Sequence, residues 1–202
     1  MPRDPVLKPL KRADLPVETV ALARFLVGAT IVHDLPEGLV AARIVETEAY
    51  LPDDPASHTY RGPTARNAPM FGARGHAYVY LNYGMYWLFN ISSDIPGIGA
   101  GVLIRAAEPV AGEAIMADRR PGRSGRGLLN GPGKLAAAMG IGPAHSGADL
   151  CAGGPLRLAH AVRPAGEIGV STRIGLTKAA DLPLRFFERG NPWLSGPKAL
   201  NR

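Results

Sequence analysis

Tyrosines and carboxylates are concentrated in one stretch of this chain. All six tyrosines lie between Arg43 and Asn90, together with two closely spaced glutamates, Glu46 and Glu48. A carboxylate can act as a general base, and aromatic faces can hold a flat ligand beside it. The stretch therefore indicates a site that places aromatic faces next to a carboxylate.

The residues that lead into this stretch have the period of a β-strand. Side chains alternate across a strand, so every second residue from Val40 to Tyr50 is expected on one face. That face begins apolar and ends with Glu46 and Glu48. Such a strand could deliver an acid to the lip of a cleft; alternatively, both glutamates are solvated at a strand end. The predicted face consists of Val40, Ala42, Ile44, Glu46, Glu48 and Tyr50.

A second aromatic segment has the pattern of a tight β-hairpin. Two apolar runs, residues 78–81 and 85–91, flank Asn82-Tyr83-Gly84. Asn and Gly both tolerate the positive φ that such a turn needs. Tyr83 would then lie at the tip, where no core can cover it. On a basic protein, this exposed tip is better explained as a wedge that enters a partner than as an incidental surface tyrosine.

Positive charge is the other feature with a chemical meaning. The net charge of +6 at pH 7 and the pI of about 9.8 favour an anionic partner, most commonly nucleic acid. Arg105 lies among apolar residues of a predicted strand, so it needs a carboxylate partner such as Glu48. The basic loop from residue 119 to 128 either solubilises the protein or contacts phosphates, and a lysine after Gly-Pro-Gly suits the same contact. The candidate phosphate contacts are Arg119, Arg120, Arg123 and Lys134.

Composition excludes several classes of protein. The one cysteine, Cys151, excludes an intrachain disulfide and a CxxC zinc site. The sequence has no apolar leader segment and no apolar run of about 18 residues, so nothing marks a secreted or membrane-spanning protein. We therefore expect a cytoplasmic protein with no membrane partner.

The remaining segments predict a mixed α+β fold. We expect a single domain over residues 14–202, with a curved, mainly antiparallel β-sheet core, surrounding helices and a protruding β-hairpin. A flexible basic arm over residues 1–13 would precede it. A first helix is expected from a cap at Asp14, and another over residues 109–119. Residues 51–75 lack periodicity and predict a long loop of the kind that is often functional.

Several motifs occur in a familiar order. The chain reads ETEAY, then a histidine, then YVYLNYGMYWLFNIS, VLIRAAEP, NGPGKL and LPLRFFERGNPW. In this order they resemble the alkyladenine (3-methyladenine) DNA glycosylase family of base-excision repair. The resemblance extends from about Leu26 to Pro192, which is nearly the whole chain.

The resemblance implies a role for each matching residue. Glu48, the second glutamate of ETEAY, matches the general base. Arg105 and the backbone of Ile174 match the groups that help to hold the nucleophilic water. Asn90 matches the residue that obstructs the exocyclic amine of normal guanine. The aromatic walls of the base pocket match Tyr50, His58 and Tyr80, and the residues that enter the DNA match Tyr83 and Met85.

The resemblance also implies a reaction. An alkylated or deaminated purine would be flipped out of duplex DNA, and a water activated by Glu48 would hydrolyse the N-glycosidic bond without a metal or a cofactor. The base would be released and an abasic site left, without strand cleavage. The expected partner is double-stranded DNA that contains damaged purines, and the expected state is a nucleoid-associated monomer.

Two other functions fit parts of the sequence. Glu46 and Glu48 would lie about 6.5–7 Å apart on a strand, which suits the carboxylate pair of an inverting O-glycoside hydrolase. A non-catalytic protein could instead bind single-stranded nucleic acid through tyrosine stacking and the arginine-rich loop.

Overall fold

Within residues 7–201, the part of the chain that the computed structural model describes, eight β-strands form one curled sheet. The strands are β1 (Thr30–Leu35), β2 (Gly38–Tyr50), β3 (Ala77–Asn82), β4 (Tyr86–Ser92), β5 (Gly101–Ala111), β6 (Leu156–Ala159), β7 (Ile168–Ser171) and β8 (Arg185–Glu188). Their order is β3-β4-β5-β2-β1-β6, and β8 pairs with both β2 and β7. Every pairing among them is antiparallel, which confirms the predicted mixed α+β fold.

Short helices cover one face of the sheet. In the described residues these are α1 (Thr19–Leu26), α2 (Glu113–Asp118) and α3 (Pro132–Ala138), with 3₁₀ turns at Arg12–Asp14, Ala68–Phe71, Gly125–Gly127, Pro143–His145 and Lys198–Asn201. Helix α1 packs on β2 and β5, and α3 packs on β4 and β5. Leu22, Leu26 and Leu135 are buried in that core. No helix within residues 7–201 combines the length and the apolar character needed to cross a membrane.

Two helix boundaries differ from the sequence prediction. Helix α1 is capped by Glu18, whose carboxylate accepts two backbone N–H hydrogen bonds of the first turn, and not by Asp14. The helix predicted over residues 109–119 begins only at Glu113, because β5 stays paired with β2 as far as Ala111. Sheet pairing therefore overrides the local helical pattern at this point.

A β-bulge at Val45 reverses the alternation of side chains along β2. Ile44 pairs with Ala107 of β5 and Glu46 pairs with Ala106, so Val45 is an extra residue on β2. An extra residue shifts every later side chain to the other face, because the period of a strand is two.

The bulge corrects the predicted strand face. Ile44 packs in the main core, and the hydroxyl of Thr47 donates a 2.9 Å hydrogen bond to the carbonyl oxygen of Ala23 in α1. Glu46 and Glu48 therefore point away from the face that holds Ile44, whereas the sequence pattern placed all three on one face. The opposite face of the sheet carries the candidate site.

The N-terminal segment that precedes α1 lies against the sheet. Residues 1–6 of the predicted arm lie outside the described residues. Pro9 forms a β-bridge with Ala159, and the N–H of Leu10 donates a 3.0 Å hydrogen bond to the carbonyl oxygen of Leu158. Leu10 is buried, so the described end of this segment belongs to the core.

Candidate active site

A cavity of about 400 Å³ opens on the face of the sheet to which Glu46 and Glu48 point. Side chains of β2, β3, β4 and β5 form its floor, and residues 56–58 and 174–176 form part of its rim. The structure brings together here every residue that the sequence assigned to the base pocket, along with Arg105. These pocket residues are Tyr50, His58, Tyr80, Asn90 and Ile174.

Glu48 is fully buried directly behind the cavity wall. Its Oε1 accepts a 2.7 Å hydrogen bond from the backbone N–H of Ile174, and its Oε2 accepts a 3.0 Å hydrogen bond from the hydroxyl of Tyr50. The Nη1 of Arg105 lies 3.2 Å from the same Oε2. All three partners line the cavity, so the carboxylate is held in one orientation by groups that a bound ligand would touch.

Glu46 is also fully buried, but its surroundings are different. Its oxygens accept hydrogen bonds from Nε of Arg105 at 2.9 Å and Nε of Arg185 at 2.7 Å. The backbone N–H and hydroxyl of Ser195 add bonds of 2.6 and 2.8 Å. Burial raises the pKa of Glu46, yet the two arginines lower it by more, so the carboxyl stays ionised. Its net pKa lies below the ordinary value.

These two environments bear on the alternatives that the sequence left open. Both glutamates are buried, so neither is a solvated residue at a strand end. They share Arg105 instead of facing each other across the cavity, and Glu46 does not line it. Such an arrangement lacks the free second carboxylate that an inverting glycoside hydrolase uses.

Arg105 stays charged between its two carboxylates. Burial lowers the pKa of this guanidinium, but Glu48 and Glu46 raise it by more, so the net pKa is raised. A buried arginine needs such partners, and the sequence prediction of a carboxylate beside Arg105 is confirmed by the contact with Glu48.

The aromatic walls form a stacked cluster around the cavity. The His58 ring meets Tyr80 edge-on, with centroids 4.3 Å apart, and its Nδ1 lies 2.9 Å from the hydroxyl oxygen of Tyr78. Burial, and then nearby Arg66, lowers the pKa of His58, which favours the neutral imidazole. Burial is also the main reason that the pKa of Tyr80 is raised to about 12. The walls therefore present neutral rings at physiological pH.

Tyr78 extends the predicted pocket and holds Asn90 in place. Tyr78 stacks on Tyr80 with centroids 5.5 Å apart and lines the cavity. Its carbonyl oxygen accepts a 3.2 Å hydrogen bond from the side-chain amide of Asn90, which fixes that amide in the cavity wall. The sequence assigned no pocket role to Tyr78, although its spacing of two residues from Tyr80 already placed both on one strand face.

The hairpin between β3 and β4 lies at the predicted position, with Tyr83 at its tip, but Tyr83 and not Asn82 shares the positive φ with Gly84. Tyr83 and Gly84 have φ values of 49° and 68°, as a tight hairpin turn requires. The N–H of Met85 donates a 3.1 Å hydrogen bond to the carbonyl oxygen of Asn82 and closes the turn. Tyr83 is 83% exposed and Met85 is 68% exposed. The tip therefore projects both side chains into solvent beside the cavity.

Three of the four predicted phosphate contacts line a second cleft, which adjoins the cavity. Arg120, Arg123 and Lys134 surround Tyr86 there, and this cleft shares wall residues with the cavity. Burial, and then the neighbouring arginines, lowers the pKa of Lys134, as expected where cations are crowded. Arg119 does not line this cleft; its guanidinium pairs with Glu37 instead.

A model of the methylpurine-DNA glycosylase family matches residues 13–192. The chain belongs to the methylpurine-DNA glycosylase family. The match covers the strands, the hairpin and the loops that build the cavity, so the family assignment and the geometry refer to the same residues. Members of this family are DNA glycosylases, which are hydrolases of DNA repair, and the chain is an enzyme of that class.

Bacterial and archaeal members of this family are similar over nearly their full length. A protein of Mesorhizobium japonicum is 54% identical over 192 residues, which cover 95% of this chain and 92% of that protein. One of Paraburkholderia phytofirmans is 49% identical over 97% of this chain and 92% of its own. One of Methanoculleus marisnigri is 46% identical over 88% of this chain and 94% of its own. All three are provisionally named 3-methyladenine DNA glycosylases.

Proposed function

We propose that the protein flips alkylated or deaminated purines of the 3-methyladenine type out of duplex DNA and hydrolyses their N-glycosidic bond with a water activated by Glu48. The observation that carries this proposal is the position of Glu48. Its carboxylate is buried, lies directly behind a cavity of about 400 Å³ and is oriented by the Tyr50 hydroxyl and the Ile174 N–H.

The proposed step balances without a further reagent. A water molecule attacks C1′ of the flipped nucleotide and gives its proton to Glu48, which typically contributes about 10²–10⁴-fold to the rate. The bond between C1′ and the base nitrogen breaks, and its electron pair leaves with the base. The ionised guanidinium of Arg105, 3.2 Å from Glu48, helps to position the water. An abasic site remains, and since no lysine within residues 7–201 lines the cavity we expect no strand cleavage through a Schiff base.

The walls of the cavity suit an electron-poor purine. Tyr50, Tyr80 and neutral His58 offer aromatic faces, and a cationic base gains roughly 0.5–2 kcal/mol from such a contact. The amide of Asn90, held by its bond to Tyr78, would meet the exocyclic amine of a normal guanine and reject it.

The surface around the cavity suits a duplex. Tyr83 at the hairpin tip would fill the stack that the flipped nucleotide vacates, and Met85 would lie beside it. Arg123 and Lys134 would contact phosphates next to this tip. A binder of single strands would not need a wedge, so the exposed tip favours a duplex substrate.

Base release from duplexes that each carry one damaged purine tests the proposal. Wild-type protein should release 3-methyladenine or hypoxanthine, and Glu48→Gln should keep binding to the lesion while excision falls by at least about 100-fold. Release of no damaged base by the wild-type protein, or equal excision by Glu48→Gln, would overturn it. Hydrolysis of aryl glycosides without base release would instead favour the O-glycoside hydrolase.

A further inference from the structure

Arg173, next to Ile174 in the chain, places a second buried cation at the active site. Its side chain is fully buried and pairs with the buried carboxylate of Asp54. Its Nη1 also donates a 3.0 Å hydrogen bond to the carbonyl oxygen of Ala49, and its Nη2 a 3.2 Å bond to that of Ala179. The guanidinium is therefore fixed in place.

This guanidinium lies against a wall of the base cavity. Its central carbon is 4.6 Å from the centroid of the Tyr50 ring. Tyr50 lines the cavity and Arg173 does not, so a permanent cation contacts this ring from outside the cavity lining. Asp54 compensates part of the charge, but it binds the guanidinium through Nη1 and leaves the contact with the ring intact.

The charge behind the ring changes what the ring can hold. A cation is attracted by the electron-rich face of a tyrosine, and a cation already in contact with that tyrosine opposes a second one. Both charges would be shielded from water. In the protein interior, electrostatic interactions are screened less than at a surface. A neutral purine on Tyr50 would not experience this opposition.

We propose that Arg173 is a specificity-determining residue. It weakens the binding of cationic bases against the Tyr50 ring and thereby shifts excision towards neutral damaged purines. The inference rests on the proposed function, because it assumes that the damaged base lies on Tyr50. Under this proposal, Tyr80 and His58 contribute most of the binding of a cationic base. The charge balance of the Arg173–Asp54 pair then determines the preference of the enzyme between methylated and deaminated bases.

The two members of the pair provide a test with opposite signs. The ratio to measure is single-turnover excision of cationic 7-methylguanine or 3-methyladenine over that of neutral hypoxanthine, in the same duplex. The double variant Arg173→Met/Asp54→Leu removes both charges and should raise the ratio about three- to tenfold. Asp54→Asn leaves the cation uncompensated and should lower it. Arg173→Lys keeps the charge but not the planar guanidinium that lies over the ring, so it should change the ratio less than the double variant does.

Arg66 supplies a matched control. Its guanidinium carbon lies 5.5 Å from the centroid of the Tyr80 ring, but the residue is exposed, so solvent and salt screen its charge. Burial, and then Arg66, still lowers the pKa of His58, so Arg66→Ala should raise the ratio, but by less than the double variant does.

Several outcomes would overturn the inference. An unchanged ratio in the folded double variant would show that the pair has only a structural role. A shift of the same sign in the double variant and in Asp54→Asn would show the same. If the double variant does not fold, as thermal melting would show, an unchanged or raised ratio in Asp54→Asn overturns the inference and a lowered ratio supports it. Failure of the wild-type protein to release either base would instead overturn the proposed function.

Discussion

The Nε of Arg105 donates a 2.9 Å hydrogen bond to Oε1 of Glu46, and both side chains are buried. The far end of the same guanidinium, Nη1, lies 3.2 Å from Glu48. Glu46 thus orients Arg105, and Glu48 forms an ion pair with it beside the cavity. This arrangement explains why two glutamates so close in sequence are expected to respond differently to the same substitution.

Glu46→Gln should destabilise the fold. Arg185, which is fully buried, and Arg105 would lose the charge that both contact, and removing one partner of a buried ion pair costs about 3–5 kcal/mol. Chemical denaturation would measure this loss. Glu48→Gln should be less destabilising, because Arg105 keeps its bond to Glu46. Unchanged stability of Glu46→Gln together with complete loss of excision would contradict this assignment and favour a paired-carboxylate mechanism.

Tyr83→Ala should separate stability from function. The side chain is almost fully exposed, so the free energy of unfolding should change by less than about 0.5 kcal/mol. Capture of a flipped lesion in a duplex should weaken, because nothing would fill the vacated stack, and the loss should be smaller at an already distorted site.

Thermal melting and lesion binding on the one variant address both halves of this prediction. Tyr78→Ala is the stability control, since truncation of this buried tyrosine should cost about 3–5 kcal/mol. Undiminished duplex binding by a stable Tyr83→Ala protein would contradict the proposed wedge role of Tyr83 but would be consistent with the hairpin.

The salt dependence of DNA binding should distinguish the basic residues that contact phosphates from those that do not. Log K should fall linearly with log salt, at about 0.9 per neutralised phosphate. Lys134→Ala and Arg123→Ala should each flatten that slope, because both residues line the cleft beside the hairpin. Arg119→Ala should leave it unchanged, since Arg119 pairs with Glu37. A slope that responds only to Arg119 would show that the DNA follows another surface.

Acid should destabilise the protein partly through Glu188. Burial raises the pKa of this carboxyl, but hydrogen bonds from Arg43, Gly166 and Asn191 lower it by more, from an ordinary 4.5 to about 2. A depressed pKa means that the contribution to stability is complete above about pH 4.5 and is lost as the pH falls towards 2.

Glu188→Gln should therefore flatten the dependence of unfolding free energy on pH in that window. Glu167→Gln is the matched control, because the Glu167 side chain is 77% exposed and pairs with Arg189 at the surface. Equal pH dependence in the wild-type protein and Glu188→Gln would place the acid-sensitive group elsewhere.

Features set by local chemistry could be predicted from the sequence. The hairpin is predicted from Asn82 and Gly84; Gly84 has the expected positive φ, but the other left-handed residue is Tyr83 and not Asn82. The pocket residues follow from motifs in order, and the need of Arg105 for a carboxylate follows from its apolar neighbours. The hairpin and the partner of Arg105 are each predicted from a few adjacent residues, whereas the pocket residues are predicted from the family resemblance, and the structure brings them together around one cavity.

Contacts between distant segments could not be predicted in this way. Arg173 and Asp54 are separated by 119 residues, and nothing in either local sequence indicates the other. The same holds for Arg119 and Glu37, whose pairing removes one candidate from the basic cleft. The position of Val45 as an extra residue was also hidden, because it is apolar like its neighbours and breaks no visible pattern.

The bulge at Val45 has a consequence for the length of β2. Deletion of Val45 would remove the extra residue and leave a regular strand with Ile44 towards the core and Glu46 and Glu48 towards the cavity, whereas deletion of Thr47, beyond the bulge, would turn one of the two glutamates towards helix α1. A deletion beyond the bulge would thus move part of the proposed reaction centre to the wrong face of the sheet, whereas a deletion at the bulge would not. The geometry of the proposed site therefore depends on the number of residues between Glu46 and Glu48 as well as on their identity.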